Sequence, residues 1–432
     1  MTMSQKITIK MKKGWLAAFL AALIYRIFLD LAYYLSIARV WASEGFILNP
    51  NPIKATESYL LFFVIFLLMP KGTQKISEII IWLLVLFSYV PLLTLYALAE
   101  GPRLLIYGVT LFWILVFALS LAVPISKITF IKKNQGTGLY TFFFVAFATA
   151  IIFLIFKYGA FTFNFDLNKV YEIRRIFVGL DIPFSNYLFN WVALILNPFF
   201  FVAFLRKKRW LLLVLSAFFQ MALFSITGNK VYLFAIPFVL FIVWLIKTKR
   251  PLFSASIGIS AIIIIGLVAS FFGNNWFSNL FANRTLLVPA LVTFDYYDFF
   301  SKNDLVYLSS NRIFNDFLVY PYNLDPPHLI GSVYFGNPIM NVNCGIVADA
   351  YMNFGLPGFV ILAFLLVILL KIADSFSNNK NIEMVIAAFG MSVIFFTNIP
   401  FLTLFLTDGM LLGLLILYLL PREDEKNLHC HN

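Results

Sequence analysis

The amino-acid sequence predicts an all-α integral membrane protein that crosses the bilayer many times. Three observations lead to this fold class. Of the 432 residues, 62% are apolar and only 12% are charged. Phenylalanine occurs 52 times, so the apolar side chains are numerous and bulky. Stretches of roughly 17 or more residues without a charge recur along the chain, as helices that span the hydrocarbon core require.

The predicted membrane spans follow one another with mostly short connections. Hydropathy indicates about twelve of them, and ten or eleven remain possible because two segments follow their predecessors almost without a loop. The spans cover roughly 14–40, 54–70, 76–98, 102–124, 138–158, 186–204, 209–226, 230–247, 253–272, 354–371, 383–399 and 401–420. Because such helices satisfy their backbone polarity internally, we expect a single integral membrane domain over residues 1–432.

The basic residues indicate the orientation of the chain. If the N-terminus is cytoplasmic and the spans alternate, most of the 32 lysines and arginines fall on the cytoplasmic side. The C-terminus is then cytoplasmic too, and the first span is expected to stay as an anchor since it lacks a secretory cleavage site. The net charge of +12 mostly records this orientation. No nucleic-acid partner is expected, because no cytoplasmic segment is long enough for a basic binding domain.

Two external loops, at about 159–185 and 273–353, interrupt the pattern of short connections. Loops longer than about 12–15 residues in a compact protein are usually functional or disordered. Both loops contain many aromatic residues, which solvated linkers lack. We therefore expect both to fold against the helices and to carry the polar chemistry of the protein.

The first loop contains the segment VYEIRR, with Glu172, Arg174 and Arg175. Two adjacent guanidinium groups can present planar donors to phosphate oxygens, so the segment fits a phosphate or pyrophosphate clamp. An interfacial helix whose arginines reach lipid headgroups and pair with Glu172 fits it equally well. Lys230 lies in a tight external turn, where a structural role is favoured over contact with an anion.

The second loop ends in NVNCGIVADAYMNFGLPG, directly before a long apolar run. Asp349 and Asn353 are four residues apart and would share one helix face. Such a polar segment at the lip of a membrane helix is suited to hold the polar head of a substrate whose tail stays in lipid, although a well-capped helix start explains it too. The candidate binding residues of this loop are Arg284, Arg312, Asn341, Asn343, Tyr351 and Asn353, with Asp349 as a candidate base.

Ionisable residues within and between the spans have simpler explanations. Arg26 and Asp30 are four residues apart and are expected to form a structural ion pair. Asp408 lies within the last span, where an acid faces a protein-lined or watery interior. His328 could act as a base, but a lone histidine in a loop is more often incidental.

Several catalytic motifs are missing from the sequence. It has no Walker A loop, no dinucleotide fingerprint, no His-Glu-x-x-His site and no serine-centred elbow. Neither a metal nor a cofactor is therefore expected, and any chemistry must use a substrate that is already activated, such as a lipid pyrophosphate. Cys344 and Cys430 fall on opposite sides of the membrane in this topology, which excludes an intramolecular disulfide.

With this topology and these loops, the chain resembles the O-antigen polymerases, the Wzy-type polymerases of oligosaccharide repeat units. The resemblance covers nearly the whole length in architecture. At the level of residues it depends on VYEIRR, TGNK, NRTLLVPALVTFDYYDFF and the segment 341–358. The Arg-x10-Gly signatures of some members are absent, because Asn186 follows Arg175 at that spacing and Asp295 follows Arg284.

The resemblance implies an enzyme of the bacterial inner membrane with both large loops in the periplasm. Such enzymes transfer a growing glycan from undecaprenyl pyrophosphate onto a hydroxyl of a newly flipped, lipid-linked repeat unit. Cationic groups such as Arg174, Arg175, Arg284 and Arg312 would stabilise the departing pyrophosphate, and Asp349 or Glu172 would accept the proton. A chain-length regulator and a flippase are implied as partners.

Two other functions remain open. An O-antigen ligase also spans the membrane many times and has a large late periplasmic loop, and His328 is the residue that favours it. A lipid-linked oligosaccharide flippase or exporter would perform no chemistry. The few charges within the spans disfavour transport, because a cavity that handles a charged headgroup normally has polar walls.

Overall fold

The computed structural model describes residues 3–124, 136–158 and 185–422. Within these ranges regular secondary structure is helical, apart from an isolated backbone pairing between Asn49 and Ala99. In chain order the principal helices are α1 (Gly14–Val40), α2 (Pro52–Leu68), α3 (Ile76–Leu98), α4 (Arg103–Ala122), α5 (Gly136–Tyr158), α6 (Tyr187–Arg206), α7 (Trp210–Thr227), α8 (Lys230–Lys247), α9 (Pro251–Phe271), α10 (Ser278–Leu287), α11 (Val288–Phe300), α12 (Pro326–Phe335), α13 (Ile346–Phe354), α14 (Leu356–Ser377), α15 (Ile382–Asn398) and α16 (Phe401–Leu419).

Nine helices in the described part of the chain are long and apolar enough to cross a membrane, namely α1, α3, α4, α6, α7, α8, α9, α14 and α16. For the described residues this confirms the prediction of an all-helical protein, and it agrees with a chain that crosses a membrane many times. The other three predicted spans also form helices, α2, α5 and α15, but these are shorter or less apolar over their described residues. The count of about twelve crossings stays a prediction.

The chain forms two compact units. The first contains Met1–Pro124, Leu245–Leu369 and Val393–Leu402, while the second contains Ile125–Trp244, Leu370–Ser392 and Thr403–Asn432. In the first unit α1 packs against α9, and α2 packs against α3 and α4. The apolar stretch of α3 is 94% buried. A helix that is apolar on every face requires such an environment, because it has no polar face to expose.

A buried arginine fastens α1 to α3. Arg26 forms the predicted ion pair with Asp30, at 3.1 Å, and its side chain is fully buried. Its other nitrogens donate to the carbonyl oxygens of Val90 and Leu93, each at 2.8 Å. These carbonyls follow a π-helical turn and flank Pro91, which has no N–H to donate, so the helical hydrogen-bond ladder is interrupted here. The prediction of a structural ion pair is confirmed, and its arginine also bonds the backbone of α3.

The segment predicted as the second external loop is built largely of helices. The π-helical α10 leads directly into α11, and α12 and α13 follow after turn-rich connections. α11 packs against both α12 and α13, and the hydroxyl of Tyr296 on α11 donates to the carbonyl of Val342 at 2.9 Å. Helices α10 to α13 and their connections, residues 278–354, are referred to below as the collar, and all of it belongs to the first unit.

The second unit has buried polar residues of its own. α6 contains a π-helical turn at Trp191–Leu196, and directly after it Asn197 bonds to Gln220 on α7 within the interior. Asp408, on α16, is also buried and accepts a hydrogen bond of 3.0 Å from the side chain of Asn190. The position of Asp408 in a protein-lined interior agrees with its predicted surroundings, and a role in a pathway stays a prediction.

Candidate functional site

The start of α13 is fixed by a close backbone contact with α15. Gly345 immediately precedes α13, and a Cβ atom built on it would lie 2.5 Å from the carbonyl oxygen of Thr397. Real Cβ atoms essentially never approach within 3.0 Å of another heavy atom, so this position requires glycine. The segment NVNCGIVAD thereby brings Asp349, one turn into α13, next to the chain that links α15 to α16.

Asp349 is buried and its two carboxylate oxygens are used by different parts of the first unit. Oδ1 accepts a hydrogen bond of 2.9 Å from the side-chain amide of Asn353, as expected for two residues four apart on one helix face. Oδ2 accepts a bond of 2.8 Å from the backbone N–H of Phe401, the first residue of α16. That N–H has no partner within its own helix, so the carboxylate caps it.

Asn353 connects α13 to the connection between α11 and α12. Its Oδ1 accepts a bond of 2.7 Å from the backbone N–H of Leu308, and its Nδ2 also donates to the carbonyl of Asp349 at 2.9 Å. Beside it, the backbone N–H of Val306 donates to the carbonyl of Met352 at 3.0 Å. The Asp349–Asn353 pair, which the sequence predicted, therefore holds three chain segments together next to the N-terminal end of α14.

The environment of Asp349 favours a proton on its carboxyl group. Burial raises the pKa of Asp349 to about 6, while the hydrogen bonds from Phe401 and Asn353 lower it and so oppose the shift. A carboxylate with a pKa near neutrality accepts a proton more readily than an ordinary aspartate does. α13 thus provides both a buried structural cap and a group suited to proton transfer.

A second carboxylate with a raised pKa lies on α11. Within the described part of the chain, Oδ2 of Asp295 is buried without a hydrogen-bond partner. Burial, and then the charge of Asp298, raise the pKa of Asp295 to about 7. Asp298 itself is half exposed, and it accepts bonds from Lys302 at 2.5 Å and from the hydroxyl of Tyr334 at 2.6 Å. Asp295 is the strongest candidate residue of the collar that the sequence motifs did not single out.

One signal in the sequence could have identified this residue. In FDYYDFF, Asp295 and Asp298 are three apart, so a helix places them on one side among aromatic residues. A carboxylate in such surroundings is either paired or shifts its pKa. Asp298 is paired with Lys302 and Asp295 shifts its pKa, which distinguishes the two residues.

Tyr351 is a packing residue in this arrangement. Its side chain is buried, and its ring centroid lies 4.6 Å from that of Tyr297 and 5.9 Å from that of Phe359. Asn341 and Asn343 are exposed and alternate with the buried Val342 and Cys344. The two asparagines are therefore accessible to a ligand, whereas Tyr351 reaches one only through movement of its neighbours.

The predicted cations lie on different elements of the chain. Arg284, on α10, forms an ion pair with Glu44 at 3.3 Å and is 44% exposed. Arg312 is exposed on the connection between α11 and α12. Lys230 is the first residue of α8 in the second unit, after a turn in which Gly228 has a left-handed φ of +64°. Glu172, Arg174 and Arg175 lie outside the described residues.

His328 has a carboxylate neighbour. Its Nδ1 lies within hydrogen-bond distance of Oδ1 of Asp325 at the start of α12. A carboxylate in this position fixes the orientation of an imidazole ring. Among the described residues, no three His, Cys, Asp or Glu side chains are grouped as a metal site would require.

Comparisons with known proteins found no match for the chain. No family model matches the chain. No curated protein and no solved structure matches it significantly. The resemblance to the O-antigen polymerases therefore stays a prediction from the residues.

Proposed function

We propose that the chain is a membrane glycosyltransferase that polymerises undecaprenyl-pyrophosphate-linked repeat units into O-antigen or a related surface polysaccharide. The observation that carries the proposal is the buried Asp349, whose pKa is about 6 and which lies seven residues before the start of the candidate span α14. A lipid-linked substrate keeps its tail in the bilayer, so its reacting sugar lies at the end of a span. Asp349 occupies such a place.

The proposed reaction needs few protein groups. The oxygen of an acceptor hydroxyl forms a bond to the anomeric carbon of the donor glycan, and the bond from that carbon to the pyrophosphate oxygen breaks. The pyrophosphate leaves with the bonding electron pair, and the hydroxyl proton passes to the carboxylate of Asp349 or Glu172. No cofactor is required, because the pyrophosphate is already a good leaving group.

The internal bonds of Asp349 are compatible with this role. Each oxygen of an ionised carboxylate has two lone-pair positions, and the bonds from Asn353 and Phe401 use one on each oxygen. These bonds hold the group in one orientation, which proton transfer requires. In the proposal, Arg284 and Arg312 contact the pyrophosphate. Arg174, Arg175 and Lys230 stay candidate anion contacts from the sequence. The exposed Asn341 and Asn343 contact the sugars, whereas the buried Tyr351 and Asn353 hold α13 in position.

The cellular setting follows from the same proposal. The chain would reside in the bacterial inner membrane with both termini in the cytoplasm and with the collar in the periplasm. A flippase would supply its substrate, and a chain-length regulator would set the length of its product.

Lipopolysaccharide from a strain that lacks the gene, with and without a plasmid copy, tests the proposal. Core that carries a single repeat unit, and that returns to a ladder with the plasmid, is the expected result. Bare core with long polymer still on its lipid would contradict polymerisation and indicate a ligase. Unpolymerised units held on the cytoplasmic side would contradict it too and indicate a flippase or exporter.

The ligase is the second candidate, and the contact between His328 and Asp325 favours it. An imidazole oriented by a carboxylate is a common general base. Replacement of His328 by glutamine separates the two functions. A polymerase retains its ladder in this variant, whereas a ligase that uses His328 as its base leaves polymer on the lipid carrier.

A further inference from the structure

The connection between α11 and α12 carries an exposed apolar knob, residues 309–319. Phe317 and Val319 are 83% and 94% exposed, and Ile313 and Leu318 are exposed as well. Exposed polar residues of the same knob include Arg312 and Asp316, among others. Soluble surfaces rarely concentrate large apolar side chains in this way, and such patches mark protein or membrane contacts.

The knob is tied to the chain where the span α14 begins. Leu308, directly before it, donates its N–H to the side chain of Asn353 at 2.7 Å. The ring of Tyr307 lies 6.5 Å from that of Phe354, centroid to centroid. A side-chain carbon of Leu305 lies 3.5 Å from the Cβ position of Gly355. Since α14 starts one residue after Gly355, these contacts hold the chain directly before the knob beside the first residues of this candidate span.

An exposed apolar face of α14 begins beside the chain that leads into the knob. Leu356, Val360 and Phe364 are 39%, 38% and 49% exposed along this candidate span. Because residues on the outside of a span face lipid, this face is covered by the bilayer. Tyr307, two residues before the knob and beside Phe354, is 56% exposed, so lipid at the start of α14 can extend over this part of the chain to the knob.

The backbone of the knob is suited to an apolar environment. Successive turns satisfy many of its N–H groups, including bonds from Asn311 to Leu308, from Phe314 to Asn311 and from Leu318 to Phe314, at 2.9 to 3.0 Å. Backbone groups that enter lipid must be bonded internally, since no water replaces the bonds. A loosely solvated loop would not meet this condition.

We propose that the knob 309–319 inserts into the interfacial layer of the bilayer on the side where α14 begins, with Phe317 and Val319 as its lipid-contacting side chains. Arg312 and Asp316 then stay at the level of the headgroups. The inference is independent of the proposed enzymatic function. It commits to lipid as the partner, because the exposed Tyr307 leads from the start of a candidate membrane span directly to the knob.

Fluorescence of an environment-sensitive probe tests the insertion. NBD would be attached to Val319→Cys and, in a second protein, to Phe317→Cys, both with Cys430→Ser so that the tail is not labelled. Cys344 is buried and stays in place, and protein without an added cysteine measures its labelling. Asn323→Cys, an exposed polar position beyond the knob, is the matched control. All proteins are reconstituted in phosphatidylcholine–phosphatidylglycerol vesicles.

Interfacial side chains lie roughly 5–10 Å below the headgroup boundary, so a lipid spin label near the top of the acyl chain is expected to quench about half of the emission from residues 317 and 319. Aqueous iodide is expected to quench the probe at residue 323 instead. Iodide quenching at residue 319 equal to that at residue 323 would overturn the proposal. Protection from both quenchers that depends on protein density would also overturn it, in favour of contact with a second copy of the chain.

Discussion

The carboxylate of Asp349 accepts a hydrogen bond of 2.8 Å from the backbone N–H of Phe401, 52 residues further along the chain. Through this bond a titratable side chain of α13 determines where α16 begins. Asn353 bonds the same carboxylate and also the N–H of Leu308. The charge on Asp349 is therefore coupled to the packing of the collar, and the predictions below separate its structural role from its proposed chemical role.

Turnover and stability are expected to change in opposite directions as the pH passes 6. A base must be ionised, so turnover of lipid-linked repeat units in vesicles should rise through pH 6 as Asp349 loses its proton. The Asp349→Asn variant should be poorly active at every pH. Turnover in this variant that equals the wild type across the range would rule out Asp349 as the base.

The stability profile follows from the raised pKa of Asp349. Its folded-state pKa of about 6 exceeds the ordinary value of 3.8, so the folded protein favours the protonated form. That stabilisation is present below pH 3.8 and is lost as the pH rises through 6, a change of about 3 kcal/mol in the free energy of unfolding. Unfolding in detergent, followed by circular dichroism, should show a flatter profile for Asp349→Asn between these pH values.

Asp295 is expected to dominate the pH dependence between pH 6 and 7. Its pKa of about 7 means that it still loses its proton where Asp349 is mostly ionised. The wild-type free energy of unfolding should fall by about 1 kcal/mol over this interval, and Asp295→Asn should remove most of that fall. Asp316→Asn, at an exposed position whose charge does not contribute to the pKa of Asp295, is the control that should keep the slope. An unchanged slope in the Asp295 variant would contradict a proton on Asp295 in the folded state.

Replacement of Asn353 by alanine should loosen the connection between α11 and α12. The backbone N–H of Leu308 loses its partner, and because this group is only partly buried its loss costs about 1 kcal/mol. Limited proteolysis should cut residues 303–325 faster in this variant than in wild-type protein. Asn343→Ala, at an exposed position, should leave the rate unchanged. Equal rates for Asn353→Ala and wild type would show that the bond to Leu308 does not hold the connection.

Gly345→Ala should destabilise the first unit. The added Cβ would lie 2.5 Å from the carbonyl oxygen of Thr397 and 2.8 Å from that of Phe396, and backbone cannot rotate away as a side chain can. Overpacking of this kind typically costs about 1–3 kcal/mol. Gly138→Ala is the matched control, because no atom lies within 4 Å of its Cβ position. A thermal midpoint that is equally high in both variants would argue against the close contact.

Arg284 and its ion-pair partner Glu44 together allow a test of the proposed contact with pyrophosphate. Its ion pair with Glu44 is partly exposed, so loss of the pair should change stability by less than about 1 kcal/mol. Arg284→Lys keeps a charge but loses the planar donors, and its turnover should fall if the guanidinium binds pyrophosphate. Glu44→Gln breaks the same pair and keeps the guanidinium, so it should retain activity. Equal activity of both variants would remove Arg284 from the proposed site.

The sequence predicted the helices well where apolar runs were long. Spans such as Ile76–Leu98 and Lys230–Lys247 coincide with the predicted ranges because hydropathy alone defines them. The pair Arg26–Asp30 could be predicted from its spacing. Its further bonds to α3 could not, because they depend on a π-helical turn that hydropathy does not reveal.

The collar was harder to predict. Its helices are short, and α11 and α13 carry polar residues among aromatic ones, so residues 273–353 have the composition of a loop. The spacing of Asp349 and Asn353 predicted their shared face and their bond. The partner on Phe401 and the burial of Asp295 depend on contacts between distant segments, which spacing within one helix does not specify.

The cluster around Arg26 has a consequence for biogenesis. α3 contacts α10 and α11, which are synthesised later by about 180 residues, or roughly 10–40 s at the usual rates of translation. During this delay α3 can already pack against the early helices α1, α2 and α4, and Arg26 joins α1 to α3 among them. The amino-terminal helices can thus associate in the membrane before the rest of the first unit exists, and they then present a preformed surface on which the collar assembles.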